Sequence, residues 1–106
     1  MTPEEFVQEF RELKEYIESG YFSQESDISR VERLVDAGLN TNQIELVKNV
    51  VSESLTDALY TVLLGLDGCA SIGHNQVLYN LKDEEGNQIT GEIESHAWEQ
   101  FQNKST

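Results

Sequence analysis

Three residues near the middle of the chain, Asp67, Cys69 and His74, have the side-chain types of a small catalytic or metal-binding cluster. A thiol near an imidazole and a carboxylate could act as a nucleophile with its base, or as a pair of metal ligands. Nucleophilic catalysis also needs an orienting group and an oxyanion site, and no motif supplies them. A zinc site needs more ligands, and His96 is the one further His or Cys in the chain. We therefore interpret Cys69 and His74 as structural and predict no catalytic residue, no metal site and no cofactor.

The net charge excludes several classes of function. Twenty Asp and Glu stand against seven Lys and Arg, which gives a formal net charge of −13 in 106 residues. Such a surface repels phosphate backbones and anionic lipids, and it attracts cations. We therefore expect no binding to nucleic acid or to membranes, and we expect a basic protein as the partner.

Two acidic stretches are the candidate contact sites for a basic partner, one on a helix face and one at the tip of a turn. They consist of Glu5, Glu9 and Glu12, and of Asp83, Glu84 and Glu85. The second stretch also raises the question of calcium. A calcium loop with Gly86 at its sixth position would have Leu81 at the first, and leucine has no oxygen to bind the metal. A solvated acidic turn is therefore the better interpretation.

Capping signals and apolar spacing predict three helices in the first two thirds of the chain. The first begins after Thr2, which forms a capping box with Glu5, and ends at Gly20. The second is a helix of about ten residues that follows a cap at Ser26 or Asp27.

The third predicted helix is the longest and the most apolar. It begins at Asn40, which forms a capping box with Gln43, and it runs to Leu66. Its dense apolar stripe and few charges indicate a central helix that neighbours cover on much of its circumference. An exposed flank of this stripe could also join two copies of the chain in a homodimer.

Strand periodicity replaces helical periodicity in the last third of the chain. The alternating residues are Val77, Tyr79 and Leu81 before the acidic turn, and Ile89, Gly91 and Ile93 after it. This pattern predicts a β-hairpin. A short last helix capped by Ser95 would follow, and its Trp98 and Phe101 would hold the hairpin against the third helix. The predicted fold class is α+β: a three-helix core with a long central third helix, then a β-hairpin and a short C-terminal helix.

Length and composition predict that residues 1–106 form one small domain. The lone cysteine, Cys69, cannot form an internal disulfide, so we expect a reducing, cytoplasmic setting. The first residues have neither the basic nor the apolar segment of a signal peptide. The longest apolar-rich stretch, residues 58–66, is too short to cross a bilayer.

In size and acidity the chain resembles the small bacterial proteins that neutralise a basic toxin domain. The resemblance is one of class and assigns no role to any single residue. It implies a non-catalytic protein-binding module, of inhibitor or immunity type, that acts on a basic partner. Two alternatives stay open. One is a small-molecule-binding accessory protein with a pocket between hairpin and helices, and the other is a small enzyme that uses Asp67, Cys69 and His74.

Overall fold

Helices joined by irregular segments, the longest of them residues 67–92, make up the part of the chain that the structure describes. The computed structural model describes residues 1–103, with helices α1 (Pro3–Tyr21), α2 (Val31–Asp36), α3 (Thr41–Leu66) and α4 (Ile93–Ala97). A π-helical turn, Trp98–Gln102, directly follows α4, and we call the two together the C-terminal helix. The molecule is elongated, with principal extents of 49 × 29 × 28 Å. Within residues 1–103, no helix combines the length and the apolarity that crossing a bilayer requires.

The two long helices begin at the residues that their capping boxes predict. The Glu5 amide donates to Thr2 Oγ1 at 3.1 Å, and the Thr2 amide donates to Glu5 Oε1 at 2.8 Å. Asn40 and Gln43 make the same two bonds before α3, at 2.9 and 2.8 Å. Each box satisfies two backbone donors that a helix start leaves unpaired. Both helix starts are therefore set by residues within the first turn.

The second helix is shorter than predicted. Ser26 closes a turn instead of capping a helix, because its Oγ accepts the hydrogen bond of the Ile28 amide at 3.1 Å. The side chains of Ser26 and Ile28 pack closely against Gly20 near the end of α1, where an added Cβ would lie 2.7 Å from Ile28. The helix begins only at Val31, after a residue whose side chain makes no capping bond. Residues 26–28 therefore form a turn that packs against Gly20, although the sequence predicts that a helix begins there.

The hydrophobic core lies towards one end of the molecule. Its buried apolar residues are Val7, Leu63, Ile89, Ile93, Ala97 and Phe101. Phe101 packs beside Tyr60 of α3 with 6.5 Å between ring centroids. Trp98 was expected to pack there too, but 54% of it is exposed. Residues three apart share a face of an α-helix, whereas the π-helical turn that starts at Trp98 changes this register.

The predicted hairpin does not form, so the α+β fold class is wrong and the described chain is helical. Within residues 1–103 the β pairing is limited to one isolated antiparallel bridge between Lys82 and Gln88. Residues 75–80, which include most of the predicted first strand, run on without a turn or a bend and without a partner strand. The end of the predicted second strand, from Ile93, is the first turn of α4 instead.

A distant carboxylate explains why a helix replaces the second strand. Asp67, directly after α3, accepts hydrogen bonds from the amides of Gly91, Ile93 and Glu94 at 2.5, 2.7 and 3.0 Å. The Ile93 and Glu94 amides belong to the first turn of α4, and the Gly91 amide lies just before it. The residue before α4 makes no side-chain capping bond of its own. The predicted Ser95 cap is therefore wrong, because Asp67 caps the helix from another element.

Candidate protein-binding surface

The structure brings Glu5, at the start of the first predicted acidic stretch, close to the second stretch at one end of the molecule. The α-amino group of Met1 lies 2.7 Å from Asp83 Oδ2, which joins the start of α1 to the turn at residues 83–87. The hydrogen bond to Asp83 raises the pKa of this amino group, and the charges of Glu5 and Glu85 raise it further. Carboxylates of both stretches therefore act on one cation.

Asp83 has a structural role in the turn. Its Oδ1 accepts hydrogen bonds from the amides of Glu85 and Asn87 at 3.0 and 2.9 Å, and its Oδ2 accepts one from Asn87 Nδ2 at 2.9 Å. The hydrogen bond from the Met1 ammonium, followed by those from Asn87, holds the pKa of Asp83 well below its usual range. Glu84 and Glu85 are the exposed carboxylates that this turn offers to a partner.

The three predicted residues of α1 differ in their surroundings. Glu5 belongs to the capping box, and the hydrogen bond from the Thr2 amide lowers the pKa of its carboxyl. Glu9 and Glu12 are exposed. Glu12 lines a groove that Glu5 and Glu9 do not line. The predicted helical site is therefore divided between the acidic end and this groove.

A polar groove of about 830 Å³ lies between α1, α3 and the C-terminal helix. Among the described residues its carboxylates are Glu12, Glu15, Glu53, Asp57 and Glu99. It is thus lined by acidic residues from all three helices.

The two cations that line the groove, Arg11 and Lys14, already have partners. Arg11 Nε donates to Glu15 Oε1 at 3.0 Å, and Arg11 Nη1 donates to the Gln100 carbonyl oxygen at 2.8 Å. Lys14 is only 7% exposed, and its Nζ lies 2.7 Å from Glu18 Oε1. The other four groove carboxylates, Glu12, Glu53, Asp57 and Glu99, make no ion pair within residues 1–103. The groove therefore presents negative charge that the described chain does not neutralise.

Sequence reasoning found only Glu12 among the residues of this groove. Glu53 and Asp57 are four apart, and they are two of the four charged residues in α3. Two carboxylates that share one face of a helix with few charges were the signal from which this part of the groove could have been predicted. Glu99 could not be assigned to the groove, because its position depends on how the C-terminal helix docks.

The candidate catalytic residues do not form a cluster. Asp67 caps α4, as described above, and His74 lies in the exposed stretch 71–80 with no hydrogen bond or ion pair to another described residue. The nearby Glu94 carboxylate, followed by partial desolvation, raises the pKa of the Cys69 thiol to about 11, and the thiol donates to the Asp67 carbonyl oxygen at 3.7 Å. Such a thiol holds little thiolate at neutral pH, and thiolate is the nucleophile. Nowhere in residues 1–103 do three His, Cys, Asp or Glu side chains meet in a way that could hold a metal ion.

A second cleft, of about 560 Å³, lies between α3 and the C-terminal helix. Two aromatic rings, Tyr60 and Trp98, line it with two carboxylates, Glu94 and Glu99. Burial, followed by the charge of Glu94, raises the pKa of Tyr60. Aromatic faces and carboxylates both attract organic cations.

Comparison with known proteins assigns no family to this chain. No family model, no curated protein and no solved structure matches it. The groove and the cleft are therefore the features from which a function can be argued.

Proposed function

We propose that this protein is a non-catalytic binding module for a basic protein partner, and that the acidic groove is its main contact surface. One observation carries the proposal: four carboxylates of the groove have no cation partner among the described residues, while Arg11 and Lys14 are already paired. An inhibitor or immunity-type role is the form of this function that the resemblance in size and acidity favours.

Electrostatics explains what such a groove could do. Lys and Arg side chains of a partner would make charge-assisted hydrogen bonds to Glu12, Glu53, Asp57 and Glu99, which are stronger than neutral ones. The net charge of −13 would also accelerate the encounter with a cationic surface. The acidic end with Glu5, Glu84 and Glu85 is a second surface that the same partner could reach.

The first test uses a short oligolysine peptide as a cationic probe. We expect the largest amide shifts in an NMR titration at residues of the groove, and a weaker effect at the acidic end. The variant Glu53→Gln/Asp57→Asn should reduce the affinity for the peptide severalfold. The matched variant Glu25→Gln/Glu32→Gln removes two exposed charges outside the groove. Equal affinity losses in the two variants would contradict a role for the groove.

The second test concerns the natural partner. A pull-down from the native host should recover a basic protein with the wild type and the Glu25→Gln/Glu32→Gln variant, and less of it with the groove variant. We propose a cytoplasmic setting for this complex, since Cys69 is an exposed free thiol. Equal recovery by all three proteins would show that the groove is not the contact surface.

The cleft beside Trp98 favours a second candidate function, the binding of a small organic cation. Trp98 is the one tryptophan of the chain and lines the cleft, so its fluorescence reports directly on occupancy. Titration with choline should change the emission of the wild type and have a weaker effect on a Glu94→Gln variant. Emission that does not respond to choline, or that responds equally in both proteins, would remove this candidate.

A further inference from the structure

Residues 68–81 differ in composition from the rest of the chain. They are the longest run without Asp, Glu, Lys or Arg in a sequence in which 25% of residues are charged. Three consecutive members, Val77, Leu78 and Tyr79, are 52%, 89% and 42% exposed. Water-exposed apolar side chains in one short, uncharged stretch mark an interaction surface.

The backbone of this stretch is also unpaired. Within residues 1–103, no amide or carbonyl group of residues 74–80 forms a hydrogen bond. The two ends of the segment are nevertheless held in place by side chains. Gln76 Nε2 donates to the Gly68 carbonyl oxygen at 2.6 Å, and Asn80 Oδ1 accepts a hydrogen bond from Gln88 Nε2 at 2.7 Å.

The missing hairpin explains why these groups are free. Residues 76–80 lead directly into the isolated bridge at Lys82, so a strand pairing begins beside them. The segment that would have continued this pairing starts α4 instead, because Asp67 binds the amides of Gly91, Ile93 and Glu94. Residues 76–80 therefore have strand periodicity but no strand to pair with in the described part of the chain.

We propose that residues 76–80 pair with the same residues of a second copy of this chain, as two antiparallel strands centred on Leu78. In this register Leu78 lies opposite its own copy, and Val77 lies opposite Tyr79 of the second copy. Pairs of aromatic and β-branched residues stabilise antiparallel strands. Gln76 lies opposite Asn80, so the register is complementary at every position and opposes no like charges.

The absence of charge favours a second copy over the basic partner as the occupant. A cationic protein finds no ion-pair partner in this uncharged segment, whereas it gains ion pairs in the groove. A second exposed apolar surface, on α3, is less suited to self-association. There Val50 lies beside Glu53 and Asp57, and two copies would bring these carboxylates together.

Two consequences follow for the strength of the dimer. Two short strands are marginally stable in water, so a dissociation constant of about 0.1–1 mM is expected. Two chains of charge −13 also repel each other, so added salt should strengthen the dimer. The inference does not depend on the proposed function, because the groove contains no residue of the 68–81 segment.

The test uses the pure protein in analytical ultracentrifugation over a concentration series. At about 1 mM protein, at least about half of the wild-type chains should be in dimers. Leu78→Asp should weaken dimerisation at least about tenfold, because it opposes two carboxylates. Leu46→Asp is the matched control, since Leu46 is a 64% exposed leucine on α3. Circular dichroism should show unchanged helix content in both variants.

Hydrogen exchange supplies a second measurement on the wild type. Alternate amides within residues 76–80 should become protected as the concentration rises, because every second amide of a strand points to its partner. A monomer at about 1 mM in high salt would overturn the proposal. A dimer that Leu46→Asp weakens and Leu78→Asp does not, or a dimer without protection of these amides, would overturn it as well.

Discussion

The carboxylates of this chain fall into two kinds that the sequence does not distinguish. Asp67 and Asp83 each accept hydrogen bonds from several amides and hold backbone segments in place. Glu53 and Asp57 make no hydrogen bond or ion pair within the described residues and are free to bind a cation. Asp83 and Glu84 are adjacent and carry the same charge, yet only the first is structural. A residue's role therefore follows from the donors around it.

Cys69 should react slowly with alkylating reagents. Because its pKa is raised from 9.0 to about 11, chiefly by Glu94, the rate of alkylation by iodoacetamide should reach half its maximum near pH 11. Glu94→Gln should shift this midpoint to lower pH. Glu99→Gln is the control, since Glu99 lines the same cleft. A midpoint near pH 7 in the wild type would reopen the enzyme hypothesis.

The ion pair between Met1 and Asp83 should make stability depend on pH at both extremes. The lowered pKa of Asp83 contributes stability above its ordinary value of 3.8, and this is lost as the pH falls. The raised pKa of the Met1 amine contributes stability below its ordinary value of 8.0, and this is lost as the pH rises through the raised value. Asp83→Asn should therefore lower the free energy of unfolding most between about pH 4 and pH 8. A difference from the wild type that does not vary with pH would contradict this assignment.

At the scale of elements, the helices differ in the sequence separation between the helix start and the residue that caps it. The caps of α1 and α3 come from residues three apart, and both could be predicted from the sequence. The cap of α4 comes from Asp67, which is 26 residues before Ile93. The alternation in residues 77–93 therefore predicts a hairpin that does not form, because the hydrogen bonds that decide the structure are not local.

Removing the Asp67 carboxylate should destabilise the protein through the C-terminal helix. Asp67→Ala leaves three amides at and just before the start of α4 without an acceptor and should cost about 1–3 kcal/mol in the free energy of unfolding. The amides of Gly91, Ile93 and Glu94 should exchange faster with solvent. Asp57→Ala is the control, and its effect on chemical denaturation should stay within about 0.5 kcal/mol. Equal effects of the two variants would show that the Asp67 cap does not stabilise the fold.

At the scale of the whole molecule, stability and charge are unevenly distributed. The buried apolar residues lie towards the end where α1 begins, α3 ends and the C-terminal helix packs. Between Val7 and Leu63 the described chain buries only Lys14 and Gly20. The half that contains α2 therefore rests on partly buried contacts and should open more readily.

Truncation of Leu63 should show where the stability lies. Leu63 is fully buried, so Leu63→Ala should cost about 2–5 kcal/mol in the free energy of unfolding. Leu46→Ala on the exposed part of the same helix should cost no more than about 0.5 kcal/mol. Denaturation midpoints measure both values. A small effect at Leu63 would mean that α3 does not carry the core.

Salt should act in opposite directions on the two proposed interactions. Between about 0.05 and 0.3 M salt the Debye length shrinks from roughly 14 to 6 Å. Affinity for a basic partner should fall over this range, because the attraction is screened. Self-association through residues 76–80 should rise, because the repulsion between two acidic chains is screened. The two dissociation constants, measured in the same buffers, check this prediction. A partner affinity that does not change with salt would contradict the role of the groove.

The amino-acid sequence by itself determined the starts of α1 and α3 and the acidic character of the surface. Capping boxes act within one turn, and net charge does not depend on the fold. Only the tertiary structure decided that Asp67 caps a helix, that residues 76–80 lack a strand partner, and that carboxylates of three helices share one groove. These features depend on contacts between residues far apart in the chain, which local periodicity and spacing do not encode.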